Sequence, residues 1–237
     1  MLELALPLFE NGIHTELPPL RPETRRIFEA IAHGDMASAL KLSATAIHTS
    51  PEDSEAIYAR AVTLYLTASF GTARPLFEKV IRNGPSFADC DRIFYLYGMC
   101  LLRLGEAESA REALLVHLQL QPGGIETRIA LGELTLQEGD PDSALVHFRF
   151  ALQSLPSLEN SNAMQSVAQA KAQAGIGKAL LQLDQVEEAH KAIQLCLQLD
   201  PSQAQPYYAL SRIYMRQGKH EQAKQAFDQF RRLSAQH

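Results

Sequence analysis

Gly175-Ile176-Gly177-Lys178 is the stretch of this 237-residue chain that looks most like a phosphate-binding loop. A loop of that kind needs a glycine five residues before the Gly of Gly-Lys and a Ser or Thr after the lysine, so that backbone N–H groups and a hydroxyl reach the phosphates and their metal. Ala172 and Ala179 stand at those two places. The segment therefore reads as an ordinary glycine-containing helix. Metal chemistry finds no better footing: there is no His-Glu-x-x-His, and the eight histidines are scattered. His117 and His147 fit packing or surface positions better than ligand positions. Glu187 and Glu188 read as solvated charge on a helical turn. Cys90, Cys100 and Cys196 form no Cys-x-x-Cys pair and fall among apolar residues, as buried free thiols in a reducing compartment do. No catalytic residue, metal site or cofactor is expected, and the chain is not expected to be an enzyme.

Bulk properties exclude further classes. The formal net charge is −5 and no block of consecutive lysines or arginines longer than the pairs Arg25-Arg26 and Arg231-Arg232 occurs. A general nucleic-acid binder needs a concentrated cationic face to displace counterions from phosphates. The opening MLELALPLFENG lacks a basic leader and is broken by Glu3 and Pro7, which makes it a poor signal peptide. No apolar window is long enough to span a bilayer. A cytoplasmic protein without membrane insertion is the expectation.

The elements that would carry any function are set by a period. Pro51 and Pro85 are 34 residues apart, as are Pro122 and Pro156; the gaps from Pro85 to Pro122 and Pro156 to Pro201 are 37 and 45. Ahead of each of four of these prolines, and again after Pro201, a small residue is followed four later by a bulky apolar one: Ala73/Phe77, Ala110/Leu114, Ala144/Phe148, Ala189/Ile193 and Ala223/Phe227. Upstream comes another apolar segment, often closed by a glycine turn, as at Gly34, Gly105, Gly139 and Gly218. Each unit thus reads as helix, tight turn, helix. Glycine permits the positive φ that ends the first helix. The residue before proline leaves the α region and stops the second. Ser50-Pro51-Glu52-Asp53 and Asp200-Pro201-Ser202-Gln203 are read as N-cap, N1 proline and an acceptor at N3. Ala68 replaces the turn glycine of the second unit, so Gly71-Thr72 are expected to shift that turn and leave Pro75 in a first helical turn.

These residues resemble the tetratricopeptide repeat, whose 34-residue unit carries aromatic, Leu-Gly, Tyr, Ala, Phe, Ala and Pro at set places. Leu131-Gly132, Gly139, Ala144, Phe148, Ala151 and Pro156 match one unit closely. Tyr207, Leu210, Tyr214, Gly218, Ala223 and Phe227 match the last. Gly177, Ala189 and Pro201 match the fifth, and Tyr97-Gly98, Gly105, Ala110 and Pro122 the third. The first unit is weaker, as a capping end unit would be. The resemblance implies an all-α, right-handed α-solenoid of about six repeats, at 20–53, 54–87, 91–124, 125–158, 170–203 and 204–237. Residues 1–19 form an N-terminal extension. The polar insertion at 159–169 reads as a longer first helix of the fifth repeat or as a surface loop.

The resemblance also implies a concave groove lined by the second, fifth, ninth and twelfth residues of each repeat. Protein-binding candidates are Phe28, Tyr58, Val62, Tyr65, Tyr95 and Met99 in the first half, and Glu133, Lys178, Arg212 with nearby Arg216 in the second. The Lys/Asn clamp by which some relatives grip a C-terminal carboxylate is missing, since Tyr58, Val62, Leu96, Glu126 and Ala130 occupy the matching places. The implied function is a non-catalytic scaffold or adaptor that binds another protein or peptide. An alternative is the regulatory or targeting portion of a larger enzyme or of a secretion or assembly component. Self-association through the N-terminal segment or an open end is a third reading.

Overall fold

The computed structural model describes residues 18–84, 87, 90–156 and 162–235. The N-terminal extension up to residue 17, Pro85 and residues 159–161 of the insertion lie outside the described residues. Among those described, twelve α-helices form and no strand does. They follow one another as α1 Pro22–Ala32, α2 Met36–Thr49, α3 Ser54–Leu66, α4 Phe70–Asn83, α5 Ile93–Arg103, α6 Ala107–Leu120, α7 Ile125–Gln137, α8 Pro141–Gln153, α9 Ala163–Gln182, α10 Val186–Leu199, α11 Ala204–Arg216 and α12 His220–Ser234. Each odd-numbered helix packs on the even-numbered one after it. The chain is an all-α solenoid, as its period predicts. It divides into two compact units, Met1–Pro122 and Gly123–His237.

The turns inside the pairs need one residue with positive φ, because the chain must reverse within about three residues. Gly34, Gly105, Gly139 and Gly218 supply it with φ between 72° and 86°. In the other two pairs Ala68 (φ 57°) and Asp184 (φ 59°) do so instead. A side chain in this region costs about 1–2 kcal/mol. The turn bonds Ala68 N–H to Tyr65 O (3.0 Å) and Ser69 N–H to Leu64 O (2.8 Å) hold Ala68 there. The shift expected at Gly71-Thr72 does not occur. α4 starts at Phe70, and Pro75 lies in its interior rather than its first turn.

Helix starts are fixed by side-chain acceptors. Asp35, Asp53 and Asp140 accept from the N–H of Ser38, Ala56 and Ser143 at 2.9–3.0 Å. Asn162 and Gln165 form a reciprocal capping box at the head of α9. That box begins the helix seven residues before the repeat frame, so Ala163–Gln169 of the insertion is helical. The expected proline starts are corrected at two sites. Asp53 and Gln203 are the N-caps of α3 and α11, so Pro51 and Pro201 lie in the preceding turns. Asp200 closes its turn by accepting from Ser202 N–H at 3.0 Å and Gln203 Nε2 at 2.9 Å. Pro22 and Pro141 do occupy the first helical turn.

In the first unit Phe77, Phe94, Ile57, Ile93 and Leu101 are fully buried. A polar chain borders them: Tyr97 donates to Glu78 Oε1 at 3.1 Å, and Arg74 pairs with Glu78 at 2.8 Å and Glu106 at 2.6 Å. Burial first, and then the neighbouring Glu78 charge, push the Tyr97 phenol up to about 12. Arg21 ties the α2–α3 turn through ion pairs with Asp53 and Glu55.

In the second unit the organising contact is Phe148 of α8. A Cβ on Gly132 of α7 would stand 2.8 Å from its ring, and one on Gly175 of α9 only 2.3 Å. Gly177 meets Ile193 in the same way, at 2.5 Å. The two glycines of the Gly-x-Gly-Lys stretch are therefore packing residues inside a helix. Gly71, near the start of α4, has nothing within 4 Å of such a Cβ.

Two outcomes follow from this packing. Gly175→Ala forces a buried ring to move and is expected to cost about 1–3 kcal/mol in denaturant unfolding. Gly71→Ala should instead gain about 0.4–1 kcal/mol by restricting the unfolded chain. A neutral Gly175→Ala contradicts the close contact. Separately, burial raises the thiols of Cys100 and Cys196 to about 11, so both stay protonated through neutral pH and are shielded from reagents. Thiol titration at pH 8 should leave both unmodified until denaturant is added, and rapid native labelling of either contradicts this.

Candidate functional site: a charged cleft on α7, α9 and α11

Residues three, four and seven apart share one face of a helix. On α7 that selects Glu133, Leu136 and Gln137. On α9 it selects Gly175, Lys178, Leu181 and Gln182, and on α11 Gln205, Tyr208, Ala209 and Arg212. These eleven side chains line one cleft of about 430 Å³. Leu136, Leu181, Ala209 and Gly175 are buried and form an apolar floor, while Glu133, Lys178, Gln182, Gln205, Tyr208 and Arg212 are exposed at its walls. The floor exists because Gly175 and Ala209 let their helices approach closely.

Charge marks the walls of this cleft. Glu133, Lys178 and Arg212 are the ninth residues of three successive 34-residue units, giving the order −, +, + along it. None of the three makes a side-chain hydrogen bond or ion pair among the described residues. Two other cavities, of about 490 and 380 Å³, lie in the first unit. Both include Arg21, whose charge is already taken up by Asp53 and Glu55, and the larger also carries the exposed Glu23 and Arg26. A cleft with an apolar floor, amide walls and unpaired cations can hold an extended segment by its backbone and a carboxylate by charge-assisted hydrogen bonds. Among the described residues no group of three or more His, Cys, Asp or Glu side chains could hold a metal ion. Among the described residues no helix is long and apolar enough to cross a membrane.

The other expected contact residues fall elsewhere. Tyr58 is 3% exposed and Val62 is likewise buried, so neither is an accessible groove residue. Tyr58 packs between Phe28, at 5.9 Å between ring centroids, and Phe87, at 5.3 Å. Phe28 and Tyr65 are half-buried against the same core, Tyr65 with its ring 5.7 Å from Phe70. Tyr95 rests on His117 at 5.8 Å, and Met99 is half-buried. Of the N-terminal aromatics Tyr58 is core and Phe28, Tyr65 and Tyr95 are half-buried, because first-helix aromatics fill the gap to the adjacent helix as readily as they face a groove. Arg216 is committed as well: its Nη1 donates to Leu181 O at 2.9 Å and pairs with Asp184 at 2.7 Å, tying α11 to the α9–α10 turn. Gln205 and Tyr208, the second and fifth residues of their unit, line the cleft as the repeat frame implies, whereas Gln182, the thirteenth of its unit, lies outside that frame. The i, i+3, i+4, i+7 pattern through Arg212 selects Tyr208 and Gln205.

Comparison with known proteins agrees with this architecture. The family description "Tetratricopeptide repeat" matches residues 68–125, and a second model of the same description matches 170–203 and 204–237, together more than half of the chain. Protein CTR9 homolog of Arabidopsis thaliana is 27% identical over 110 residues, 46% of this chain and 10% of that protein. BBSome complex member BBS4 of Xenopus tropicalis is 30% identical over 124 residues, 52% of this chain and 23% of that protein. The aligned region is thus less than a quarter of either relative's length. Among solved structures, a chain of the APC/C hetero-tetramer Cut9-Hcn1 superposes with a TM-score of 0.75 at 18% identity, covering 91% of this chain and 40% of that one. Pseudomonas aeruginosa pilF gives 0.69 at 19% identity, covering 89% and 90%. YrrB, described as a TPR protein with an unusual peptide-binding site, gives 0.56 at 17% identity, covering 82% and 93%. With the 34-residue period, the helix pairs and the small-to-bulky seams in place, these matches make the chain a member of the tetratricopeptide repeat family.

Proposed function

We propose that this protein is a non-catalytic interaction scaffold that holds an acidic peptide segment in the cleft of α7, α9 and α11, within repeats assigned at 125–158, 170–203 and 204–237. The observation that carries the reading is the pair Lys178 and Arg212, exposed above an apolar floor and unpaired among the described residues. An exposed cation beside apolar surface gains most from a carboxylate that brings its own apolar contact. Glu133 at the other end suits a lysine, an arginine or a backbone N–H of the same segment, which gives the bound peptide a direction. Peptide binding by YrrB, a protein of the same fold, supports the general mode. It says nothing of the sequence bound here.

Assembly is the natural setting for such a scaffold. The two curated relatives are much longer than the region they share with this chain, and one is named as a member of a complex. A role as the targeting or regulatory part of a larger assembly is compatible with the same cleft.

An array of twelve-residue peptides graded in acid content tests the reading by fluorescence anisotropy. The best acidic binder should lose affinity about tenfold with Lys178→Glu or Arg212→Glu and should weaken as salt is raised. Glu133→Gln should not reduce the binding of a uniformly acidic peptide. A best binder that ignores both charge reversals contradicts the cleft as the site.

A further inference from the structure

Glu133 and Lys178 each leave their helix through a single opening. From Ile129 to Leu136 on α7 every residue but Glu133 is buried, and from Ala174 to Leu181 on α9 every residue but Lys178 is buried. Arg212 of α11 stands between the buried Ser211 and Ile213. Each charge is thus rooted at a fixed point of a packed helix. Two further rows run beside the charges on α7 and α9. Three residues on, Leu136 and Leu181 are buried in the cleft floor, and four residues on, Gln137 and Gln182 are exposed at its wall. Neither glutamine makes a side-chain hydrogen bond among the described residues.

The distance between helices sets a register. α9 packs against α7 on one side and α11 on the other. Packed helix axes lie about 8–10 Å apart, so the ninth residues follow one another at about that step. A ligand crossing all three helices must present its charges at the same step and on one side. A β-strand rises about 3.3 Å per residue and alternates its faces, so its third residue arrives at about 10 Å but points away. An α-helix rises about 1.5 Å per residue and would need charges seven apart. Its backbone groups are also bonded internally and have nothing to offer the two glutamines. Polyproline II has three residues per turn and rises about 3.1 Å per residue, so every third side chain returns to the same side after about 9 Å. It makes no internal hydrogen bonds, which leaves its N–H and C=O groups for Gln137 and Gln182.

Given the peptide reading of this cleft, on which the inference rests, we propose that the cleft recognises charge in a register of three. The occupant is a polyproline-II segment of a partner protein. A lysine or arginine lies by Glu133, an acid three residues along lies by Lys178, and a second acid three further lies by Arg212. Leu136 and Leu181 take the stems of these side chains, while Gln137 and Gln182 bond the backbone between them.

The probes are twelve-residue peptides centred on Lys-Ala-Pro-Glu-Ala-Pro-Glu, in that order and in reverse, with isomers of identical composition whose charges are two or four residues apart. In fluorescence anisotropy one of the two orders should bind about tenfold tighter than every isomer. Gln182→Ala should weaken that peptide. Exchanged charges should then map the contacts one by one. Glu133→Lys is rescued by Glu in place of the peptide's lysine, Lys178→Glu by lysine at the middle charge alone, and Arg212→Glu by lysine at the outer acid alone. Equal binding of the isomers, or rescue without regard to position, overturns the register. So does tighter binding of an alanine-based helical peptide with charges seven apart. If Lys178→Glu or Arg212→Glu still weakens binding in those cases, the cleft stands as the peptide site and the register alone is refuted. Indifference of every peptide to both reversals refutes the two together.

Discussion

One constraint organises this molecule: in the third, fourth and fifth pairs a bulky side chain of the second helix packs on a glycine of the first. Phe148 between Gly132 and Gly175 shows the strictest form, since neither glycine can accept even a methyl group without displacing the ring. Leu114 against Gly98 and Ile193 against Gly177 repeat the contact with a smaller partner. All the described helices but α9 have eleven to fifteen residues, lengths that are marginal alone, so the seams supply the burial that propensity cannot. Where glycine is absent from a turn, Ala68 and Asp184 still adopt the left-handed conformation. Packing overrides a local cost of about 1–2 kcal/mol.

The same seams shape the proposed peptide cleft. α7, α9 and α11 together present an apolar floor, and the ninth residues stand above it. Because Leu136, Leu181 and Ala209 fill the floor, Glu133, Lys178 and Arg212 remain at the walls. In the first three pairs the ninth residues are Phe28, Val62 and Met99, which are buried or half-buried. Charge at one repeat position thus separates pairs whose ninth residue is buried or half-buried from pairs whose ninth residue is exposed.

Much of this was legible in the sequence, and what was not has a physical reason. The prolines, glycine turns and Ala/Phe spacing expose the helix pairs because each residue type acts locally on the backbone. Glu133, Lys178 and Arg212 could be picked out because charged side chains stay in water whatever packs beneath them. The aromatics could not be sorted in that way. Tyr58 and Tyr208 occupy the same repeat position with the same side chain, yet one lies in the core and the other in the open. The difference is made by Phe28 and Phe87, which flank Tyr58 from other elements, and no pattern local to α3 reports it. The starts at Pro51 and Pro201 misled for a related reason. A proline suits a turn as well as a helix start, and the aspartates nearby decide which.

That contrast between two tyrosines offers the most direct check. Tyrosine nitration of the native full-length chain, read by mass spectrometry, compares Tyr58 with Tyr208 in one experiment. The seam account predicts modification of Tyr208 well before Tyr58, which should react only as the fold is lost. Equal protection of both would mean that Tyr208 is already covered, and equal reactivity would mean that the N-terminal aromatics are open. Either result would contradict the account.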